Sequence, residues 1–396
     1  MTERLPEPLA PLGLPETLRT GAGIWLGLLV AVLLLFQTGT PPEAVVLCLI
    51  AVTCTLLLSL RWRVGLLAIG VLVICGVILR LDMHGRAFSD VLTVTRAAVD
   101  QMLNGGNPYG HGFTESNPAG APFAYGPLAL LWYVPVKSDP YRLELAISIV
   151  MLVALALRGR VLGLAIFATL PPLIVVAADG SNDTSAGLLI LIALLLAPRI
   201  PWAGSAALGV AAAFKPYALA WLVPLVPYAG ISVLIPFAAA TIVLWGPALL
   251  IWGPDNILWS LRTADAIHRT AYYALAYAIG GRATIPEDVY SVLRFIAGGL
   301  IAIGTVNWVR SSRGLIVAGV AIFLATLFLG WWSTFAYVAA IAPILCWHID
   351  DWLNLPRVVW PADPVGAITR SVDRRWPVLR TDASATSEAS GAAFTA

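Results

Sequence analysis

The sequence predicts an all-α polytopic membrane protein, a bundle of about eleven to twelve transmembrane helices with a large first extracytoplasmic loop. Three observations predict it. The 396-residue chain has a mean hydropathy of +0.85, with 59% hydrophobic residues. Only 12% of its residues are charged, where soluble domains carry about 25%. The apolar runs are continuous rather than alternating, which excludes the short in-and-out strands of a β-barrel. A net charge of +2 offers no basic surface for nucleic acid. Cys48, Cys54, Cys75 and Cys346 all fall inside apolar runs without metal-ligand spacing and read as small core residues. Residues 1–20 are Pro-rich with mixed charges, which predicts a cytoplasmic segment and no cleavable signal peptide.

Apolar runs begin near Gly23, Ala44, Val64, Leu145, Val161, Thr184, Ala203, Leu219, Ile231, Val289, Leu315 and Thr334. Several sit near or below the ~17 residues a simple span requires. The arginines set the orientation. Arg4 and Arg19 precede the first run, Arg61 and Arg63 follow the second, and Arg158, Arg160, Arg199, Arg310 and Arg313 mark later turns. Placing all of them inside sends residues 82–142, the Asp179–Asp183 turn and residues 253–288 outward. The membrane domain then fills 21–350, and 351–396 is a cytoplasmic tail, disordered from about 382 where Ala, Ser and Thr dominate. Two consequences follow from this parity. The run Leu128 to Val136 cannot cross and is expected to be interfacial or re-entrant. Residues 203–228 are expected to break near Phe214-Lys215-Pro216 into two short helices, because Pro216 lacks an N–H and disfavours helical geometry at Lys215. One continuous helix over 203–228 is the alternative, and it would turn Arg310 and Arg313 outward.

The polar 82–142 loop concentrates the candidate chemistry. In it, Asp90 is the prime carboxylate, opening an amphipathic stretch in which Val91, Leu92, Val94, Ala98, Val99, Met102 and Leu103 share a face. An Asp there also has a plain reading as an N-cap, with Asn104-Gly105-Gly106 as the stop. Asp82 is the rival carboxylate, and Asp100 reads as solvated. Asn107-Pro108-Tyr109 is a turn that either only bends the chain or presents an amide and a hydroxyl to a polar ligand. Tyr125 closes the loop in Pro122-Phe-Ala-Tyr-Gly-Pro127.

Other candidates lie in later segments. Lys215 sits deep in an apolar stretch, where an ammonium is costly unless paired or wet, so it marks a functional position unless it snorkels to an interface. Asn182 and Asp183 belong to the turn Asp179-Gly-Ser-Asn-Asp183, which either caps the next helix or orients hydroxyls of a ligand. His268 and Arg269 form the chain's only adjacent His–Arg pair; a solvated loop face is the plain reading of each, and an anion site is the sharper one. Trp331-Trp332 reads as an aromatic belt.

The order of these motifs resembles that of the multispanning GT-C glycosyltransferases. In particular it resembles glycosyltransferase family 87, the polyprenyl-phosphate-mannose-dependent mannosyltransferases. The residues that carry the likeness are Asp90, the amphipathic stretch after it, Gly105-Gly-Asn-Pro-Tyr109, Pro122-Phe-Ala-Tyr-Gly-Pro127, Asp179-Gly-Ser-Asn-Asp183 and Ala211-Ala-Ala-Phe-Lys-Pro-Tyr217. They cover about Asp82 to Tyr228. The chain departs from the pattern in three places: Tyr125-Gly126-Pro127 stands for Tyr-Pro-Pro, no tyrosine follows Asp90 closely, and the Gly180 turn lacks a Gln.

The resemblance implies a GT-C-like fold in the plasma membrane with its active site on the extracytoplasmic side. It implies transfer of a sugar, mannose above all, from a polyprenyl-phosphate donor to a hydroxyl of a glycolipid or glycan acceptor, with inversion. Asp90 matches the family's first-loop Asp, the general base, and Lys215 with His268 or Arg269 would stabilise the leaving phosphate. No nucleotide or other cofactor is implied, and metal dependence is left open. Two other readings remain: a lipid or small-solute transporter or flippase, and a non-catalytic relative.

Overall fold

The computed structural model describes residues 65–84, 89–179, 181–267, 274–278, 285–331, 333–334, 336–355 and 371. The first two expected spans, the N-terminal segment and the tail beyond 371 lie outside them. The described chain is mostly helical, with almost no strand. The helices are α1 (Gly65–Met83), α2 (Val91–Leu103), α3 (Pro127–Tyr133), α4 (Tyr141–Leu157), α5 (Val161–Thr169), α6 (Pro171–Asp179), α7 (Asp183–Leu196) and α8 (Pro201–Phe214). There follow α9 (Leu219–Ala229), α10 (Leu234–Trp252), α11 (Pro254–Ile267), α12 (Leu275–Ala278), α13 (Glu287–Thr305), α14 (Ser312–Phe328) and α15 (Ala336–Trp352). Two-residue strands β1 (Gly112–Phe113) and β2 (Ala121–Pro122) pair antiparallel in the loop, Gly112 opposite Pro122 and Phe113 opposite Ala121.

Among the described residues, Ile231–Trp252 and Asp288–Thr305 are long and apolar enough to cross a membrane, with a third span if the bent pair Pro127–Val136 and Tyr141–Leu157 counts as one. Large apolar side chains stand exposed on both, up to Leu250 at 88% exposure, as a lipid-facing surface requires. The remaining elements are shorter than the sequence runs suggest, because the runs break. The run from Val161 divides at Leu170 before Pro171-Pro172 into two nine-residue helices, each about 14 Å long against a ~30 Å hydrocarbon core. The run over 203–228 divides at Lys215, as the proline predicts. Leu128 to Val136 forms α3 and a 3-10 turn, bent by 95° from α4.

One apolar core joins α1, α4 through α9, α14 and α15. Short α5 is fixed in it by opposite charges at its two ends. At its start the Asp350 carboxylate accepts from the Leu162 and Gly163 amides, at 3.0 and 2.7 Å. At its end the buried Arg80 guanidinium donates to the Phe167 and Ala168 carbonyls, at 2.5 and 3.2 Å. Each charge meets the pole of the helix dipole that favours it.

A second core roots the loop on this bundle. Leu92, Val94, Ala98 and Val99 of α2 pack with Tyr109, Phe113, Phe123 and α3 onto Phe214 of α8, Ala248 of α10 and Ile257 of α11. Of the expected apolar face of α2, Leu92, Val94, Ala98 and Val99 are buried, Val91 and Met102 are half-buried and Leu103 is exposed. Gly105, at φ +78, ends the helix in the left-handed region. Residues 253–288 do not begin as the expected loop: Pro254–Ile267 is helical and braces the first loop, with Ser260 Oγ accepting from the Gly110 amide at 3.0 Å.

The departure Tyr125-Gly126-Pro127 has a structural cause. The Gly126 amide donates to the Phe214 carbonyl at 3.1 Å, tying the end of the loop to the end of α8. A Cβ at this position would overlap the Ala213 carbonyl oxygen. Proline here would both remove the donor and fill the contact. Gly126→Pro is therefore expected to destabilise the protein by about 2–4 kcal/mol, read as a lowered melting temperature in detergent. An unchanged melting temperature would contradict this docking.

Candidate functional site

The site is built around the break after α8. Pro216 takes Lys215 out of helical geometry, to φ −141 and ψ 138, and the side chain turns toward the start of α7. There Lys215 Nζ donates to Asp183 Oδ1 at 2.7 Å, with the two side chains only 3% and 2% exposed. The ammonium lies 4.9 Å from the ring centres of both Tyr125 and Tyr217, within range of cation–π attraction. Asp183 is the first residue of α7, where the helix dipole favours a carboxylate, and its other oxygen accepts from the Ser181 hydroxyl. Snorkelling does not describe Lys215; it is a buried, paired ammonium under the closing turn of the loop.

Asp90 acts on Tyr125 as well. It immediately precedes α2, but its side chain makes no capping bond; Oδ2 accepts instead from the Asn117 amide at 2.8 Å. Asp90 is half-buried. The Tyr125 ring lies beside the Lys215 ammonium, and its phenol feels both Asp183 and Asp90. Burial, then the negative fields of Asp183 and Asp90, hold its phenol well above the ordinary tyrosine range, so it remains a neutral donor. The structure thus brings together Asp90, Tyr125, Asp183 and Lys215, from four separate segments. Asn182 adjoins them. Its amide is fully buried, and among the described residues neither its Nδ2 nor its Oδ1 has a hydrogen-bond partner.

Asn107 and Tyr109 serve the loop itself. Asn107 Nδ2 donates to the Trp252 carbonyl at 2.9 Å, and Oδ1 accepts from the Tyr109 amide at 3.0 Å. The Tyr109 hydroxyl donates to the Tyr125 carbonyl at 2.9 Å, and burial raises its phenol far above the usual range. Both groups are engaged within the protein, where they fix the backbone of Tyr125. Asp82 is exposed on the last turn of α1. His268 and Arg269 lie outside the described residues, as do Gly180 and Trp332.

Sequence reasoning missed Glu144. It is 1% exposed on the first turn of α4 and accepts from the Tyr133 hydroxyl, the Ser185 hydroxyl and, at 3.1 Å, the Ser185 amide. Trp132 Nε1 donates to the same Ser185 hydroxyl at 3.1 Å. Glu144 therefore pins α3 and α4 to the start of α7 and lies near enough to Asp183 and Lys215 to act on them electrostatically. The available signal was a lone carboxylate at the head of an apolar run, which reads equally as an interfacial residue.

Among the described residues no group of three or more His, Cys, Asp or Glu is placed to hold a metal ion. Comparison with protein families, curated proteins and solved structures finds no match.

Removing either partner of the buried pair leaves an uncompensated charge. Lys215→Met and Asp183→Asn should each destabilise the protein by about 3–5 kcal/mol, whereas the double variant should recover much of that loss. Melting temperatures of the four proteins in detergent check this cycle. Additive losses would show that the pair does not act as a unit.

Proposed function

We propose that this chain is a polytopic membrane glycosyltransferase that moves a sugar, mannose in the first instance, from a polyprenyl-phosphate carrier to an acceptor hydroxyl with inversion. The observation that supports the proposal is that one tyrosine neighbours both a carboxylate and an ammonium: Tyr125 lies 4.9 Å from the buried Lys215 ammonium and feels the field of half-buried Asp90. Transfer needs two such groups on opposite faces of the anomeric carbon. Asp90 takes the proton of the acceptor hydroxyl as its oxygen bonds to the anomeric carbon. The bond from that carbon to the phosphate oxygen breaks, and the carrier phosphate leaves with the electron pair. Lys215 stabilises the departing charge, which is larger in the transition state than in the bound donor. Asp183 keeps the ammonium in place, and it uses one of the three N–H donors of Nζ.

Lys215 is 2% exposed, so the phosphate reaches it when the Tyr125 or Tyr217 ring swings aside. The buried amide of Asn182 offers a donor and an acceptor to sugar hydroxyls at the same place. His268 and Arg269, which lie outside the described residues, are proposed as further cations for the leaving phosphate. The reading places the protein in the plasma membrane as a multi-pass protein with residues 82–142 outside, and the partners are the lipid-linked donor and a glycolipid or glycan acceptor. The helices broken at Leu170 and Lys215 favour one second reading, a transporter or flippase, because such breaks often line substrate sites within the membrane.

The test is sugar transfer from labelled polyprenyl-phosphate mannose in membranes holding matched amounts of wild type and Asp90→Asn. Wild type should transfer mannose, and the variant should lose roughly a hundred- to ten-thousandfold in rate with no loss of folded protein. Transfer that survives in Asp90→Asn would move the base to Asp82 or another residue. A folded wild type that transfers no sugar from mannose, arabinose or glucose carriers would leave the transporter or a non-catalytic relative.

A further inference from the structure

An open cleft of about 550 Å³ lies at the far end of α2 from Asp90, walled by Ala97, Asp100, Gln101 and Asn104 on the helix and by His111 to Glu115 on the loop. Its walls are built rather than incidental. Gly106 turns back so tightly that a Cβ there would press on Gln101, and its amide donates to the Gln101 carbonyl at 2.9 Å. A Cβ on Gly112 would overlap the carbonyl of Gly120 across the two-stranded pair. Gln101 Oε1 and His111 Nε2 stand 3.0 Å apart, and the His111 ring packs on Phe113 with centres 4.7 Å apart. Gln101 thus spends one end of its amide on the protein and keeps the other for the cleft.

The chemistry of the walls selects the ligand. They carry two carboxylates, Asp100 and Glu115, with amides and an imidazole, and neither lysine nor arginine. The cation that touches them, Lys137, sits half-exposed outside the lining, 3.7 Å from Asp100. A phosphate would be repelled. A neutral ligand rich in hydroxyls, which both donate and accept, finds carboxylate acceptors and amide groups, with a flat ring surface beside them.

The placement says what such a ligand would be for. Gln101 follows Asp90, the residue before α2, by eleven residues, about three helical turns, so the two lie along one stripe about 16 Å apart. Ala97, seven residues after Asp90, lies on the same stripe. The loop closes the path from the other side: Glu115 lines the cleft, and two residues on, the Asn117 amide holds Asp90 Oδ2. We propose that this cleft is a distal subsite for a neutral oligosaccharide acceptor, which lies along α2 with its reacting hydroxyl at Asp90 and an earlier sugar unit between Gln101 and Glu115. The proposal rests on the glycosyltransferase reading for the direction of the chain, while glycan binding by the cleft stands without it.

The test is equilibrium binding of α-linked mannotriose to the full-length protein in detergent micelles, followed by saturation-transfer NMR. Wild type should bind it at millimolar or better concentration, and the Gln101→Ala/Glu115→Ala variant should lose at least about tenfold in affinity. Glu115→Ala alone, at an exposed side chain bonded to Thr114, should give a smaller loss with an unchanged melting temperature. Polyprenyl phosphate should not displace the trisaccharide. Absence of mannotriose binding, binding indifferent to both substitutions, or displacement by polyprenyl phosphate would each overturn the subsite. Binding that the substitutions weaken, in a protein that transfers no sugar, would uphold the cleft and remove the glycosyltransferase reading instead.

Discussion

An ammonium and a carboxylate buried side by side, Lys215 and Asp183, constrain the rest of this structure. Neither is tolerable alone in an apolar interior, where an unpaired charge costs several kcal/mol. Their pairing therefore requires two chain breaks to coincide. The break after Phe214 releases Lys215 from α8, and the turn before α7 puts Asp183 at a helix start. Around that point the other constraints accumulate. Tyr125 and Tyr217 cover the ammonium, Gly126 ties the loop to Phe214, and Glu144 holds α3 and α4 against the start of α7.

The loop is accordingly a fitted cover on the bundle. Its own aromatic core, Tyr109, Phe113 and Phe123, is sealed to the ends of α8 and α10 and to α11. Such a cover fixes its polar side chains while leaving Asp90 half-exposed to solvent. On the proposed reading, the preorganised cation and the solvent-accessible carboxylate are the two groups that group transfer at a membrane surface would need.

Sequence periodicity made part of this legible. The apolar face of α2, the glycines that stop it and the break at Lys215-Pro216 all follow from local rules on spacing and proline. The pairing did not. Asp183 stands 32 residues before Lys215, and no local rule joins them; each had a sufficient separate reading, as a cap and as a snorkelling cation. Glu144 was illegible for the same reason, since its partners come from α3 and α7. The role of Gly126 depends on a carbonyl of another helix, so the sequence displays it only as a departure from a pattern. The helix over Pro254–Ile267 went unread because its polar residues suggested a loop, whereas the structure uses it as a brace. Counting continuous apolar runs also overstated helix length, because prolines at 171, 172 and 216 divide runs that hydropathy alone leaves whole.

The central claim is that the buried ammonium receives a lipid-linked phosphate. The most direct measurement is binding of polyprenyl phosphate to the purified protein, wild type against the Lys215→Met/Asp183→Asn double variant, with both shown to be folded. The double variant removes the cation without stranding its partner. The account predicts saturable binding by wild type and a loss of at least about tenfold in the double variant, the scale of a charge-assisted hydrogen bond. Equal affinity in the two proteins would contradict it, and would leave the Lys215–Asp183 pair as a device of folding alone.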